Sequence, residues 1–133
     1  MHVRRGDYVN SPNTKAIYTH CDIEYYKKGL EIITKKNDNV VLFIFSDDPT
    51  WVKENMKFDF PTNYVDHNNA DFNYEDLRLM SLCKHNIIAN SSFSWWGAWL
   101  NENPFKQVVS PKIWINDLTI NPNDINPPGW IVL

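Results

Sequence analysis

The sequence has 133 residues, of which 43% are hydrophobic, and a formal net charge of -3. This length is typical of one domain with a substantial core, and the interspersed charges give no basic surface of the kind that binds nucleic acid. We therefore expect no nucleic-acid partner. Two cysteines, Cys21 and Cys83, are too few for a disulfide framework and favour a cytoplasmic location. The sequence has no run of about 18 apolar residues that would predict a membrane span.

The first half of the sequence predicts two strands and two helices. A strand over residues 1–5 precedes a loop over 9–20, where Asn, Ser, Pro and Thr are frequent. Asp22 predicts the N-cap of an amphipathic helix. The apolar face of that helix comprises Ile23, Tyr26, Leu30 and Ile33. Residues 40–45 form a continuous apolar run, which predicts a strand buried on both faces. Pro49 then fits the first turn of a short helix.

The second half continues this alternation. Further strands are predicted at 64–65, 86–90 and 107–110, with helices near 73–83 and over 95–101. Alternating strands and helices with short connections are typical of a parallel sheet covered by helices on both faces, which is an α/β architecture. The tail over 121–129 has the Pro, Asn and Asp content of irregular structure.

Polar residues follow three of the predicted strands. The three pairs are Arg4 with Arg5, Asp47 with Asp48, and Ser91 with Ser92. Because the carboxyl ends of parallel strands share one edge of a sheet, we expect these pairs to converge there. The guanidinium fork of arginine fits phosphate oxygens, and the unpaired N–H groups at a helix start favour an anion. The sequence therefore predicts a phosphate site at this edge.

Each cluster also has a structural interpretation. The arginines suit a surface ion pair, and Ser91 or Ser92 suits an ordinary N-cap. Asp47 and Asp48 could bind a metal, cap the following helix or orient the arginines, although they lack the Asp-x-Asp spacing associated with divalent metals. Glu75 and Asp76 suit a helix start, where a carboxylate could also accept from a guanine edge. Core packing is favoured over sugar stacking for three aromatic residues, Trp95, Trp96 and Trp99.

Four segments, in order along the chain, resemble a known family. They are residues 2–9 (HVRRGDYV), 45–48 (FSDD), 76–81 (DLRLMS) and 90–100 (NSSFSWWGAWL). Together they resemble the α-1,2-fucosyltransferases of glycosyltransferase family 11. The resemblance implies a Rossmann-like GDP-fucose-binding domain over residues 1–133, which forms one half of a GT-B-type enzyme. We expect the sequence to be a fragment without the N-terminal domain that shapes the acceptor site.

The resemblance also implies a reaction and its residues. L-Fucose would pass from GDP-β-L-fucose to the 2-hydroxyl of a galactose-terminated oligosaccharide, with inversion and without a metal or other cofactor. Arg4 and Asp7 are the expected catalytic residues, with Arg4 on the β-phosphate and Asp76 near the guanine. The residues expected to bind GDP-fucose are His2, Arg4, Arg5, Asp47, Asp48, Asp76, Ser91, Ser92 and Ser94. For the cytoplasmic location, the resemblance further suggests the inner face of the membrane as an alternative.

A second hypothesis belongs to a different class of protein. A chain that holds only the donor half of the enzyme could be a GDP-binding module that is catalytically incomplete without its N-terminal domain. The sequence offers no convincing general base for the acceptor hydroxyl, so both hypotheses stay open.

Overall fold

Strands and helices alternate along the chain, as the sequence predicts, and the fold is α/β. The computed structural model describes residues 1–116 and 124–133. The strands are β1 (His2–Val3), β2 (Leu42–Ser46), β3 (Thr62–Val65), β4 (Asn86–Ile87), β5 (Val108–Ser110) and β6 (Ile131–Val132). The helices are α1 (Gly6–Asn10), α2 (Pro12–Ile17), α3 (Ile23–Thr34), α4 (Pro49–Asn55), α5 (Asn73–Ser81) and α6 (Ser92–Trp99), with a 3₁₀ helix at Ala70–Phe72. Within the described ranges, no helix is long and apolar enough to cross a lipid bilayer.

The strands form two parallel sheets rather than the single sheet that the sequence predicts. One sheet has the order β1-β2-β3 and the other has the order β4-β5-β6. The strands β1 and β4 contain only two residues each. Among the described strands, β1 pairs with β2 and β4 pairs with β5, and no ladder joins β1 to β4. The two sheets nevertheless share one hydrophobic core, which includes Val3 of β1, Ile87 of β4 and Val109 of β5.

Helix α3 packs across this shared core. Asp22 caps it, because the Oδ1 atom of Asp22 accepts a hydrogen bond from the Tyr25 backbone N–H at 2.8 Å. A Cβ atom at Gly29 would lie 3.1 Å from the Ile87 side chain, so a glycine at this position allows close approach to the sheet. The buried residues of the helix are Tyr26, Gly29, Leu30 and Ile33, as the amphipathic pattern predicts for three of them.

One prediction about the first half of the chain is wrong, and another holds only in part. Residues 9–20 are largely helical rather than a loop, because Ser11 caps α2 through a hydrogen bond from Thr14 N–H and Pro12 occupies the first turn. Strand β2 has buried side chains on both faces, Leu42 and Ile44 on one and Phe45 on the other, but the predicted burial is incomplete. Val41, just before it, and Phe43 within it are exposed. These two side chains line an open apolar groove with part of α3 and the residues around Leu82.

The prediction that all three tryptophans pack in the core is also wrong. Trp96 and Trp99 are half exposed, and only Trp95 is partly buried. The buried positions of α6 are Ser94, Gly97 and Ala98. A Cβ atom at Gly97 would lie 2.9 Å from the Cβ atom of Met80 in α5. Since the two helices approach so closely, small residues occupy their interface and the large rings lie on the outer side of α6.

Candidate anion-binding site at the strand ends

Arg4 and Asp47 meet where β1 and β2 end. The parallel register pairs His2 with Phe45 and Val3 with Ser46, so the residues that follow the two strands emerge side by side. Arg4 Nη1 lies 3.3 Å from Asp47 Oδ2, and Arg4 Nη2 lies 2.7 Å from Asp7 Oδ1. Both terminal nitrogens of Arg4 are therefore oriented by a carboxylate.

Arg5 is held differently. Its backbone N–H donates to Asp47 Oδ1 at 2.9 Å, and its Nε atom lies 3.5 Å from Asp48 Oδ2. The guanidinium carbon lies 3.4 Å from the centre of the Trp51 ring, which is a face-on cation–π contact. Within residues 1–116 and 124–133, no hydrogen bond is found to the terminal nitrogens of Arg5. Arg4, Arg5 and Trp51 line a cavity of about 360 Å³ with the start of α3.

The two aspartates after β2 have several structural roles at once. Asp48 caps α4, because its Oδ1 atom accepts from the Trp51 N–H at 3.2 Å. Asp47 lies so close to Gly6 that a Cβ atom there would come within 2.3 Å of Asp47 Oδ2. The capping and arginine-orienting interpretations are therefore both observed. In the part of the chain that the structure describes, no three His, Cys, Asp or Glu side chains form a group suited to a metal ion.

The charges of this cluster decide how an anion could enter it. Three carboxylates face two guanidiniums, so the cluster as a whole does not carry a positive charge. However, these side chains are 20% to 50% exposed, and ion pairs at that exposure contribute only about 0–1 kcal/mol each. A diphosphate, which accepts several charge-assisted hydrogen bonds, can displace or share such contacts.

The serine turn before α6 presents an uncapped helix start. Ser91 occupies the N-cap position that the structural interpretation assigns to a serine, but its side chain makes no capping hydrogen bond. Ser92 is exposed at the first helical position. Ser94 is buried, and its hydroxyl donates to the carbonyl oxygens of Ala89 at 3.3 Å and Ser91 at 3.2 Å. The first N–H groups of α6 consequently have no side-chain acceptor from Ser91, as anion binding at a helix start requires.

Two contacts connect the arginine pair to the residues around this turn. The Tyr8 hydroxyl donates to the Asn90 carbonyl oxygen at 3.1 Å, and the Tyr8 ring lies 5.4 Å from the Arg4 guanidinium carbon. The His2 ring lies 5.7 Å from the ring of Phe93. His2 is buried, and burial lowers its pKa to about 3, so the imidazole is neutral at pH 7.

Asp76 lies on α5 and contacts the segment that follows β3. Asn68, which follows β3, donates from Nδ2 to Asp76 Oδ1 at 2.7 Å. Asp76 is therefore tied to the carboxyl end of β3, whereas Arg4 and Arg5 lie at the end of β1. Among the described residues, no ion pair joins Asp76 to either arginine.

Sequence reasoning missed three residues of this site. Trp51 lies in the short helix predicted to begin at Pro49, but it was given no role in the site, and neither Tyr8 nor Asn90 was predicted to connect two clusters. The aspartate cap followed by Pro49 was a signal for Trp51, because it places that ring one turn from Asp48. The hydrogen bond between Tyr8 and Asn90 joins residues 82 positions apart, and local patterns do not predict contacts of that kind.

Comparison with known proteins identifies the family. The sequence profile described as Glycosyl transferase family 11 matches residues 1–133. The chain is 40% identical over 134 residues to an O-antigen biosynthesis glycosyltransferase, WbnK, of Escherichia coli, and this match covers all of the chain. It is 35% identical to an alpha-1,2-colitosyltransferase of Escherichia coli, with 98% of the chain covered. The chain therefore belongs to glycosyl transferase family 11, and the sequence-based resemblance is confirmed.

More distant relatives include fucosyltransferases. The chain is 27% identical over 132 residues to galactoside alpha-(1,2)-fucosyltransferase 2 of Rattus norvegicus, with 84% of the chain and 36% of the relative covered. The chain spans 43% and 46% of the length of the two bacterial relatives. No solved structure matches the chain.

Proposed function

We propose that this chain binds the diphosphate of GDP-fucose and supplies the donor half of a fucosyltransferase. The observation that carries the proposal is the arginine pair at the end of β1, with Arg4 oriented by Asp7 and Asp47. Fixed donors stabilise negative charge that develops on a leaving group more effectively than mobile ones. The uncapped start of α6 would add backbone N–H donors on the same diphosphate.

The proposed reaction is transfer of L-fucose from GDP-β-L-fucose to the 2-hydroxyl of a galactoside, with inversion. The acceptor oxygen forms a bond to the anomeric carbon while the bond from that carbon to the β-phosphate oxygen breaks, and GDP leaves with the bonding electrons. Arg4 would donate hydrogen bonds to the β-phosphate oxygens, and Asp7 would act in catalysis through its 2.7 Å ion pair with Arg4. Because guanidiniums engage Asp47 and Asp48, we propose that the reaction needs no metal.

The remaining site residues have supporting roles in this proposal. Asp76 would accept a hydrogen bond from the guanine, at the end of β3. His2, which is buried and neutral, would fix the end of β1 against Phe93. The proposed architecture is the Rossmann-like half of a GT-B enzyme. Support for it comes from the strand orders β3-β2-β1 and β4-β5-β6, which match the two halves of a doubly wound sheet.

The donor sugar has a second candidate. A relative 35% identical to the chain is named as an alpha-1,2-colitosyltransferase, whereas the relatives named as fucosyltransferases are more distant. We therefore propose a colitosyl group as the alternative to fucose. The proposals for Arg4 and Arg5 are unaffected by this choice, since both act on the diphosphate rather than on the sugar.

Calorimetry and a transfer assay test these proposals together. We expect the isolated chain to bind GDP but to transfer fucose to a galactoside at a negligible rate, because the acceptor site is proposed to need a second domain. ADP at the same concentration is the control for guanine recognition. Absence of GDP binding would contradict the site, and efficient transfer by the isolated chain would contradict the need for a second domain.

A further inference from the structure

We infer that Trp51 is a positioning residue for Arg5 and sets its guanidinium in place for a diphosphate. This inference rests on the proposed function and assigns a role to a side chain outside the arginine motif. The guanidinium carbon lies 3.4 Å from the ring centre, so the planar cation lies flat against the indole face. Trp51 itself is partly buried and packs against the main hydrophobic core. The surface beneath Arg5 is therefore fixed by the fold.

Asp48 joins the two side chains into one unit. Its Oδ1 atom accepts from the Trp51 backbone N–H at 3.2 Å, and its Oδ2 atom lies 3.5 Å from Arg5 Nε. One carboxylate thus fixes the start of the helix that carries the indole and also restrains the guanidinium in its own plane. Trp51 restrains the same guanidinium from its face. Nε is the guanidinium nitrogen of Arg5 that contacts Asp48.

The terminal nitrogens of Arg5 are the donors that this arrangement leaves available. In the described part of the chain they have no hydrogen-bond partner, whereas both terminal nitrogens of Arg4 face carboxylates. Arg5 and Trp51 both line the cavity of about 360 Å³ at the strand ends. An arginine that is already ordered loses less rotamer freedom when an anion binds, so the stacking raises affinity without touching the ligand.

A double-mutant cycle separates this role from a purely structural one. The variants are Trp51→Leu, Trp51→Phe, Arg5→Ala and the double variant Trp51→Leu with Arg5→Ala, and the probes are GDP and inorganic pyrophosphate in calorimetry. Trp51→Leu is expected to weaken GDP binding about 3- to 30-fold, and Trp51→Phe is expected to retain most of the affinity because it keeps an aromatic face. In the Arg5→Ala background, Trp51→Leu should have almost no further effect on affinity.

Matched measurements keep the cycle interpretable. Trp96→Leu removes a half-exposed tryptophan with no ring contact to an arginine among the described residues, so it should leave GDP affinity unchanged. If Trp51→Leu fails to fold by circular dichroism, Arg5→Lys replaces it. Lysine keeps the charge but lacks the planar face, so the affinity for GDP should fall by a similar factor.

Nuclear magnetic resonance of arginine side chains gives a readout without ligand, because the ring current of the Trp51 indole should shift the Arg5 Nε–H signal.

The outcomes distinguish this inference from the proposal on which it rests. If the wild-type chain binds neither GDP nor pyrophosphate, both are overturned. If it binds GDP and Trp51→Leu weakens binding equally with and without Arg5, the inference alone is overturned, because Trp51 would then act independently. An unshifted Arg5 Nε–H signal, or wild-type GDP affinity in folded Trp51→Leu or in Arg5→Lys, would also overturn the inference alone.

Discussion

Replacing Arg4 with alanine should separate GDP binding from fold stability. In the fold, the variant loses two partly exposed ion pairs, to Asp7 and Asp47, each contributing about 0–1 kcal/mol. In the complex it loses charge-assisted hydrogen bonds to phosphate, which contribute about 1.5–3 kcal/mol. The same change leaves the carboxylates of Asp7 and Asp47 facing the diphosphate without their shared cation. We therefore expect the loss of affinity to exceed the loss of stability.

These energies define the measurement. A loss of about 1.5–3 kcal/mol corresponds to a dissociation constant for GDP about 10- to 150-fold higher. Calorimetry measures that constant, and urea unfolding measures stability in parallel. Lys36→Ala is the control for the loss of a positive charge, because Lys36 is exposed just beyond the C-terminal end of α3, opposite the end that lines the cavity, and its removal should leave GDP affinity unchanged. Equal GDP affinity in Arg4→Ala and the wild-type chain would refute the assignment of Arg4 to the phosphate.

Three further changes test other parts of the site and fold. Gly6→Ala should lower the free energy of unfolding by about 1–3 kcal/mol in urea titrations, because the new Cβ atom would lie 2.3 Å from Asp47 Oδ2. Unchanged stability would show that the Asp47 carboxylate moves aside freely. GDP binding should survive EDTA, and a reversible loss restored by Mg²⁺ would instead assign Asp47 and Asp48 to a metal. Burial lowers the pKa of His2 from 6.5 to about 3, so between these pH values the unfolded chain binds a proton that the folded chain does not. The free energy of unfolding should therefore fall as the pH drops below about 6.5, by up to about 1.4 kcal/mol per pH unit. His2→Phe should reduce that slope, and identical pH profiles of stability would contradict it.

Local sequence signals predicted those features of the fold that depend on neighbouring residues. Asp22 caps α3 through Tyr25, and Asp48 caps α4 through Trp51, as their positions before apolar periodic segments indicate. The helix in residues 9–20 was missed, although Ser11 and Pro12 form the expected start signal, because the high content of turn residues was given more weight. Here two local rules compete, and composition alone does not decide between them.

Burial was predicted less well because it depends on the partner surface. An apolar run such as residues 40–45 indicates a strand, but it does not indicate how much of each face is covered: Phe43 is exposed, whereas Phe45 on the same face is buried. The orientation of α6 follows from its close contact with Met80, which excludes large residues from that side. No pattern within α6 reports the distance to a neighbouring helix, so the positions of Trp96 and Trp99 could not be predicted.

The candidate site was likewise predicted in part, and the contacts that depend on tertiary packing were missed. The alternation of strands and helices, which is typical of a parallel sheet, predicted that residues after β1 and β2 would meet, and the structure brings Arg4 to Asp47 and Arg5 to Asp48. The cation–π contact of Arg5 with Trp51 depends on how α4 packs. The hydrogen bond from Tyr8 to Asn90 depends on how two distant segments of the chain pack together. Side-chain packing of that kind requires the folded structure.

The aromatic cluster on α6 gives the protein a built-in optical reporter. Trp95 and Trp99 are stacked with ring centres 5.2 Å apart and planes inclined by 11°, and Trp130 lies 5.7 Å from Trp95. Indole chromophores this close couple their electronic transitions, which gives paired bands in circular dichroism that isolated tryptophans lack. Because Trp95 Nε1 also donates to the Ile125 carbonyl oxygen at 2.8 Å, the coupled signal depends on the attachment of the C-terminal segment to this helix. A spectrum of the unlabelled chain can thus follow the integrity of the helix that begins at the serine turn, without an introduced probe.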